Sequence, residues 1–214
     1  MQIAVLLYDR LTALDAIGPY EALSRLPGAE TVFVAEHPGP QRTDTGALAL
    51  TADAALHEVP RPDILLVPGG PGSAALVDDG PVHEWLREAH AHSTWTTSVC
   101  TGSLILAGAG LLAGRRATTH WTALKELERL GAVAVAERVV IDGKLVTAAG
   151  VSAGIDMALT LIGRIAGDAT AQEIQLWIEY DPQPPYDAGS PAKAPAAVLQ
   201  SALGRSRFAA ATTG

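Results

Sequence analysis

Two short runs in this chain, residues 3–7 and 64–67, are apolar at every position instead of at every second one. Successive side chains of a strand point to opposite faces, so a strand with one wet face alternates; a strand apolar throughout has both faces covered. This predicts a sheet packed between two layers of helices. The rest of the chain supplies them. Apolar spacing suits helices at about 14–26, 81–92, 101–112, 122–130, 152–166 and 169–179, alternating with further strands at 31–35, 94–99 and 117–119. Asp142-Gly143 between two apolar runs, 139–141 and 145–148, is a hairpin signal. The β-α-β-α order then predicts an open α/β fold, a mostly parallel sheet with right-handed crossovers. Such sheets bind ligands beyond the carboxyl ends of their strands, so the residues just after each strand are the ones to inspect.

Composition narrows the partners. The 214 residues carry a formal net charge of −8, which argues against a nucleic-acid backbone or an anionic membrane surface. The longest stretch of apolar residues and glycine, 104–114, is far shorter than the roughly 20 residues a bilayer needs. One cysteine excludes a disulfide within the chain. The N-terminus opens directly into a strand with no basic start or small-residue cleavage site, and a cytoplasmic location is the expectation. From about Asp181 the composition turns to Pro, Ala, Gly and Ser. Residues 1–190 therefore read as one α/β domain, with a packed loop toward its end. Residues 191–214 read as a partly flexible tail, frayed after about Ser201.

Four strand ends carry chemistry. Cys100, in Ser98-Val99-Cys100-Thr101-Gly102, sits between a β-branched strand and a small-residue helix. The dipole and free amides of that helix favour the thiolate, and the Thr101 amide is placed to stabilise developing charge, as in a nucleophile elbow. The competing reading is a buried inert cysteine. Pro68-Gly69-Gly70-Pro71-Gly72 ends another strand, and the Gly69 and Gly70 amides suit an oxyanion nest; a plain turn is the alternative. Asp15 follows the first strand and should face the same rim as Cys100, as a proton donor beside the nucleophile or as a helix N-cap. His120 ends the short strand in Thr118-Thr119-His120-Trp121, either as a base for Cys100 or as a hydrogen-bonded rim histidine. The remaining histidines give no metal-ligand spacing with Cys100, and no metal site is expected.

Two motifs are set aside. Gly150-Val151-Ser152-Ala153-Gly154 matches G-x-S-x-G, but no histidine follows His120 to complete the hydrolase order. Gly150 suits a backbone lining the pocket instead. Gly108-Ala109-Gly110 begins a loose dinucleotide fingerprint without the strand that must precede it.

Over roughly residues 2–190 the chain resembles the ThiJ/PfpI superfamily, relatives of class I glutamine amidotransferases, which implies a flavodoxin-like α/β fold with its sheet sandwiched by helices. The resemblance rests on Leu14-Asp15-Ala16-Ile17-Gly18-Pro19, Val67-Pro68-Gly69-Gly70, Val99-Cys100-Thr101-Gly102, Ala117-Thr118-Thr119-His120-Trp121 and Tyr180-Asp181-Pro182-Gln183-Pro184-Pro185-Tyr186, in that order. Asp15 and the Cys100-Thr101-Gly102 elbow most resemble isocyanide hydratases, where many relatives place Glu at position 15. The resemblance implies attack of a Cys100 thiolate on a small-molecule isocyanide, protonation by Asp15, and hydrolysis of the thioimidate to an N-substituted formamide. It implies that the Gly70 and Thr101 amides hold the cysteine and that the Thr101 hydroxyl orients water. It implies no cofactor and a homodimer that completes the pocket wall. Three other readings remain at this stage: a Cys-dependent amide hydrolase with His120 as base, a glyoxalase-type enzyme, and a redox- or ligand-sensing module like the domains fused to AraC-type regulators. Those regulators continue into a basic helix-turn-helix pair, for which the 27 residues from Ala188 on are too short.

Overall fold

The computed structural model describes residues 1–205. Its strands are β1 (Gln2–Leu6), β2 (Glu30–Ala35), β3 (Gly39–Arg42), β4 (Ala49–Ala52), β5 (Ala54–Ala55), β6 (Ile64–Val67), β7 (Trp95–Val99), β8 (Arg116–Ala117), β9 (Val133–Ala134), β10 (Val139–Asp142) and β11 (Leu145–Ala148). Its α-helices are α1 (Ala13–Leu23), α2 (Pro81–His92), α3 (Gly102–Gly108), α4 (Leu124–Arg129), α5 (Ala153–Ala166), α6 (Asp168–Trp177) and α7 (Ala196–Leu203). Seven strands form one sheet in the order β10-β11-β7-β6-β1-β2-β5. Every pairing in it is parallel except the β10–β11 hairpin, which turns at Gly143-Lys144, just after Asp142, with Gly143 at φ +63°. The fold is flavodoxin-like α/β, as the family resemblance implies, and the sheet is covered on both faces, as the all-apolar runs predict: β6 and β11 are buried at every position, and β1 at all but its first residue.

The order of the strands places the site. From β1 the chain steps to β2 and β5 on one side, then crosses to β6 and β7 on the other. The direction of winding reverses between β1 and β6, and the loops leaving those strands diverge there to leave a crevice. The loops after β1, β6 and β7 all open onto it.

Close packing at the top of the sheet depends on Gly102, the first residue of α3. A Cβ there would lie 2.1 Å from the Val67 carbonyl oxygen and 2.8 Å from that of Pro68. Both are backbone atoms, which cannot swing aside as a side chain can. Gly102→Ala is therefore expected to lower stability by about 1–3 kcal/mol, the usual cost of overpacking. The check is a lower urea midpoint at unchanged slope.

Some elements differ from the sequence expectation. The helix expected over 101–112 stops at Gly108, and Gly110, at φ +81°, turns the chain out of it. The half-exposed β3–β4 hairpin and the two-residue strands β5 and β9 had no sequence signal. The expected tail carries α7, which extends past Ser201 to Leu203. The remainder of that tail, from residue 206, lies outside the described residues. Among the described residues no helix is long and apolar enough to cross a membrane.

Candidate functional site

Cys100 occupies the turn between β7 and α3 with φ at +57°, a left-handed conformation that costs energy for any residue with a side chain. Three elements hold it there. Its N–H is shared between the Ala148 and Ala149 carbonyls at the end of β11, at 3.0 and 2.8 Å. Its carbonyl accepts from the Thr119 hydroxyl at 3.0 Å and the Ser103 hydroxyl at 3.2 Å. The Thr101 and Val151 N–H groups are directed at the sulfur.

Asp15 lies inside the first turn of α1 and is fully buried, at 0% exposure. The N-cap position belongs to Thr12, so Asp15 is free of the capping role. The carboxyl accepts the Gly69 N–H through Oδ2 at 2.9 Å and meets the Cys100 thiol; Oδ1 has no partner of good hydrogen-bond geometry. Burial raises its pKa to about 7, the Gly69 N–H and the thiol oppose this, and the Asp44 charge adds to it. The Cys100 thiol is pushed up to about 12, first by burial and then by the Asp15 charge, against the pull of the Thr101 and Val151 N–H groups. The sequence expectation of a resting thiolate is thereby corrected. Desolvation and a neighbouring carboxylate outweigh the amides at the start of a seven-residue helix.

The two glycine amides do not lie open as an anion nest. Gly69 donates to Asp15, and Gly70 donates to the Thr101 hydroxyl at 3.0 Å. That hydroxyl also accepts from Ser73 at 2.9 Å and donates to the Gly70 carbonyl at 3.2 Å, so it is fully engaged within the protein. Gly69 threads between the two functional side chains. A Cβ there would stand 2.5 Å from the Thr101 nitrogen and 2.9 Å from Asp15 Oδ2. The motif thus works as a brace that sets Asp15 against Cys100.

His120 faces the same cavity with its ring against Gly150, whose added Cβ would meet Cδ2 at 2.7 Å. Its Nδ1 contacts the Thr122 hydroxyl at 2.8 Å and accepts from the Thr122 N–H at 3.4 Å. Burial lowers its pKa, so the ring is neutral. With Nδ1 accepting, the proton sits on Nε2, and the ring can offer a donor but no base through that nitrogen. Ser152 of the G-x-S-x-G match is exposed and bonded to Arg138 at 3.3 Å.

Cys100, Thr101, Gly70 and His120 line a cavity of about 1180 Å³, whereas Asp15, Gly69 and Gly150 are not part of its lining. Its floor is Cys100 and Thr101, and Gly70, His120, Trp121 and Val151 form much of its near wall. α7 adds a wall through Ala197, Val198, Ser201 and Ala202, and the exposed Arg10 and Arg205 complete the lining at its rim with the half-buried Asp44. Sequence reasoning missed α7 and Val151. The available signal for α7 was Pro195 before an Ala-rich stretch; for Val151 it was only the adjacent Gly150. Among the described residues no three His, Cys, Asp or Glu side chains are grouped to hold a metal ion.

A model of the DJ-1/PfpI family matches residues 1–164. The isonitrile hydratase of Pseudomonas putida is 44% identical over 205 residues, covering 96% of this chain and 90% of that protein. A solved structure of a ThiJ/PfpI family protein from Pseudomonas syringae superposes with a TM-score of 0.91 at 38% identity, over 94% of this chain and 84% of that one. The transcriptional regulator CdhR of Pseudomonas aeruginosa is 35% identical over 138 residues, which span 64% of this chain and 40% of the regulator. With its sheet, its cysteine elbow and these matches in agreement, the chain belongs to the DJ-1/PfpI family.

Proposed function

We propose that the protein is an isocyanide hydratase: it adds water to an organic isocyanide and releases an N-substituted formamide. The observation that carries the reading is the buried Asp15 carboxyl, with a pKa near 7, set against the Cys100 thiol at the floor of the cavity. The 44% identity to an isonitrile hydratase over nearly the whole chain supports the same chemistry.

An isocyanide carbon accepts a nucleophile and must then be protonated at that same carbon. A thiol beside a titrating carboxylate supplies both. As sulfur attacks, the S–H proton passes to Asp15, and Asp15 delivers it to the former isocyanide carbon, giving a thioimidate, Cys100–S–CH=N–R. Water adds across C=N, its proton going to nitrogen. Collapse of the C–S bond yields the formamide, and the proton lost from oxygen restores the thiol. The cycle consumes one water and no cofactor. Thr101 serves through its N–H on the sulfur and its hydroxyl on the Gly70 loop. His120 shapes the pocket and offers a donor. Its occupied Nδ1 weighs against a Cys–His hydrolase.

A homodimer belongs to this reading. Leu176, Trp177 and Tyr186 are 80%, 77% and 81% exposed, which is apolar surface suited to a second copy.

Turnover of phenyl isocyanide in ¹⁸O-water tests the proposal. N-phenylformamide carrying one ¹⁸O is expected, and absence of formamide at high enzyme concentration would refute it. The pH profile tests the relay. The reactive form holds one proton between Asp15 and Cys100, so it is reached once the first proton leaves. The ratio kcat/KM should rise about tenfold per pH unit below 7 and level off above it. A fall across pH 7 would show that the fully protonated pair is the reactive one.

A further inference from the structure

Most of the described arginines are paired with an acid, and two of those that are not line the cavity. Arg25, Arg61, Arg87, Arg115, Arg116, Arg129 and Arg138 each sit against a carboxylate. Among the described residues Arg10, Arg42, Arg164 and Arg205 have no such partner, and of these four Arg10 and Arg205 line the cavity. The one acid in the lining besides them, Asp44, is already engaged: Oδ2 accepts from the Thr12 hydroxyl at 2.8 Å and Oδ1 from the Thr45 N–H at 2.8 Å. A chain of net charge −8 therefore presents two unpaired guanidiniums at the mouth of its apolar pocket.

Arg10 is also held there at a cost. Its backbone takes φ +61°, a left-handed conformation, fixed by its N–H on the Arg42 carbonyl at 2.7 Å and by the Gly72 N–H on its own carbonyl at 3.1 Å. The same loop leads from β1 to Thr12 and Asp15, so the arginine and the catalytic carboxyl are positioned by one piece of backbone.

We infer that the pocket selects isocyanides whose far end bears an anionic group, a carboxylate above all, held at the rim by Arg10 and Arg205. This rests on the hydratase reading and names its substrate class. The planar guanidinium suits a carboxylate, and the apolar wall between rim and floor suits a hydrocarbon spacer. The rim is open to water, which limits each guanidinium to a few-fold effect. That effect falls on KM, because the remote anion feels the same contacts before and during reaction.

The test uses the full chain with 4-isocyanobenzoate, its methyl ester, and a 4-isocyano-N,N,N-trimethylanilinium salt, in wild type, Arg10→Gln, Arg205→Gln and the double variant. The expected wild-type order of kcat/KM is acid over ester over cation, with acid over ester by about tenfold through KM. Each single variant should cut the acid-to-ester ratio about threefold, and the double variant should bring it near one. Ester turnover at or above acid turnover in wild type overturns the inference and leaves hydration standing. So does an acid preference that survives the double variant. If none of the three is hydrated, the hydratase reading fails and takes the inference with it.

Discussion

Cys100→Ala is expected to lower isocyanide hydration by at least about 10³-fold, toward the uncatalysed rate, because the variant has no atom to form the thioimidate. The fold should survive. The backbone hydrogen bonds that hold the elbow, from residue 100 to Ala148, Ala149, Thr119 and Ser103, involve only main-chain atoms of that residue. Alanine enters the left-handed turn with no larger a Cβ than cysteine has. Steady-state rates and a thermal melt on the same preparation separate the two effects. Cys100→Ser sharpens the point: it keeps size and shape but raises the barrier to ionisation beyond that of a thiol already pushed to about 12. A variant that kept a tenth of the wild-type rate would remove the covalent intermediate from the mechanism.

Asp15→Asn is expected to lose about 10²–10⁴ in kcat, the usual worth of a positioned proton-transfer group. It should gain stability at the same time, with a sign set by pH. In the unfolded chain the carboxyl ionises near 3.8, and in the folded protein near 7. Below pH 4 both states hold the proton and there is no penalty. Between 4 and 7 the unfolded state gives up its proton while the folded state keeps it, so stability falls steadily; above 7 the loss is complete and constant. Asparagine removes that loss and can still accept the Gly69 N–H. Its melting temperature should match wild type near pH 4 and exceed it at pH 8, where the gain amounts to a few kcal/mol. Equal melting temperatures at pH 8 would mean that the carboxyl is not strained by burial.

Those two side chains also show how far sequence carries and where it stops. The continuous apolar runs betray a doubly covered parallel sheet, because no water-facing side chains interrupt them, and β6 and α2 fall on the residues expected. Once the sheet is drawn, chain order alone places Asp15 and Cys100 on one rim. Their ionisation is another matter. The helix terminus at Cys100 is a local feature and argues for a thiolate, whereas the burial that overrides it is contributed by residues far along the chain. The Gly69 and Gly70 amides pose the same difficulty: nothing local reveals that Asp15, 54 residues away, and Thr101, 31 residues away, have claimed them. The β3–β4 hairpin escaped notice for a different reason. Gly39, Pro40 and alternating half-exposed positions give neither period enough contrast to read. In α7 the alanines are apolar on all sides, so no face stands out.

That last helix separates two kinds of constraint. None of its residues is buried, yet Ala197, Val198, Ser201 and Ala202 form a wall of the cavity. The fold is carried by the sheet and by α1 and α5, and the reacting atoms by loops rooted in that sheet. The boundary seen by the remote part of a guest is assigned to a segment on which the core does not depend. Mutations in 196–205 can thus enlarge, narrow or recharge the guest space at little thermodynamic penalty, while the chemistry below stays fixed. In evolutionary terms the protein keeps a heritable reaction and a freely rewritable appetite, and a directed library confined to those ten positions would explore substrate range with few unfolded members.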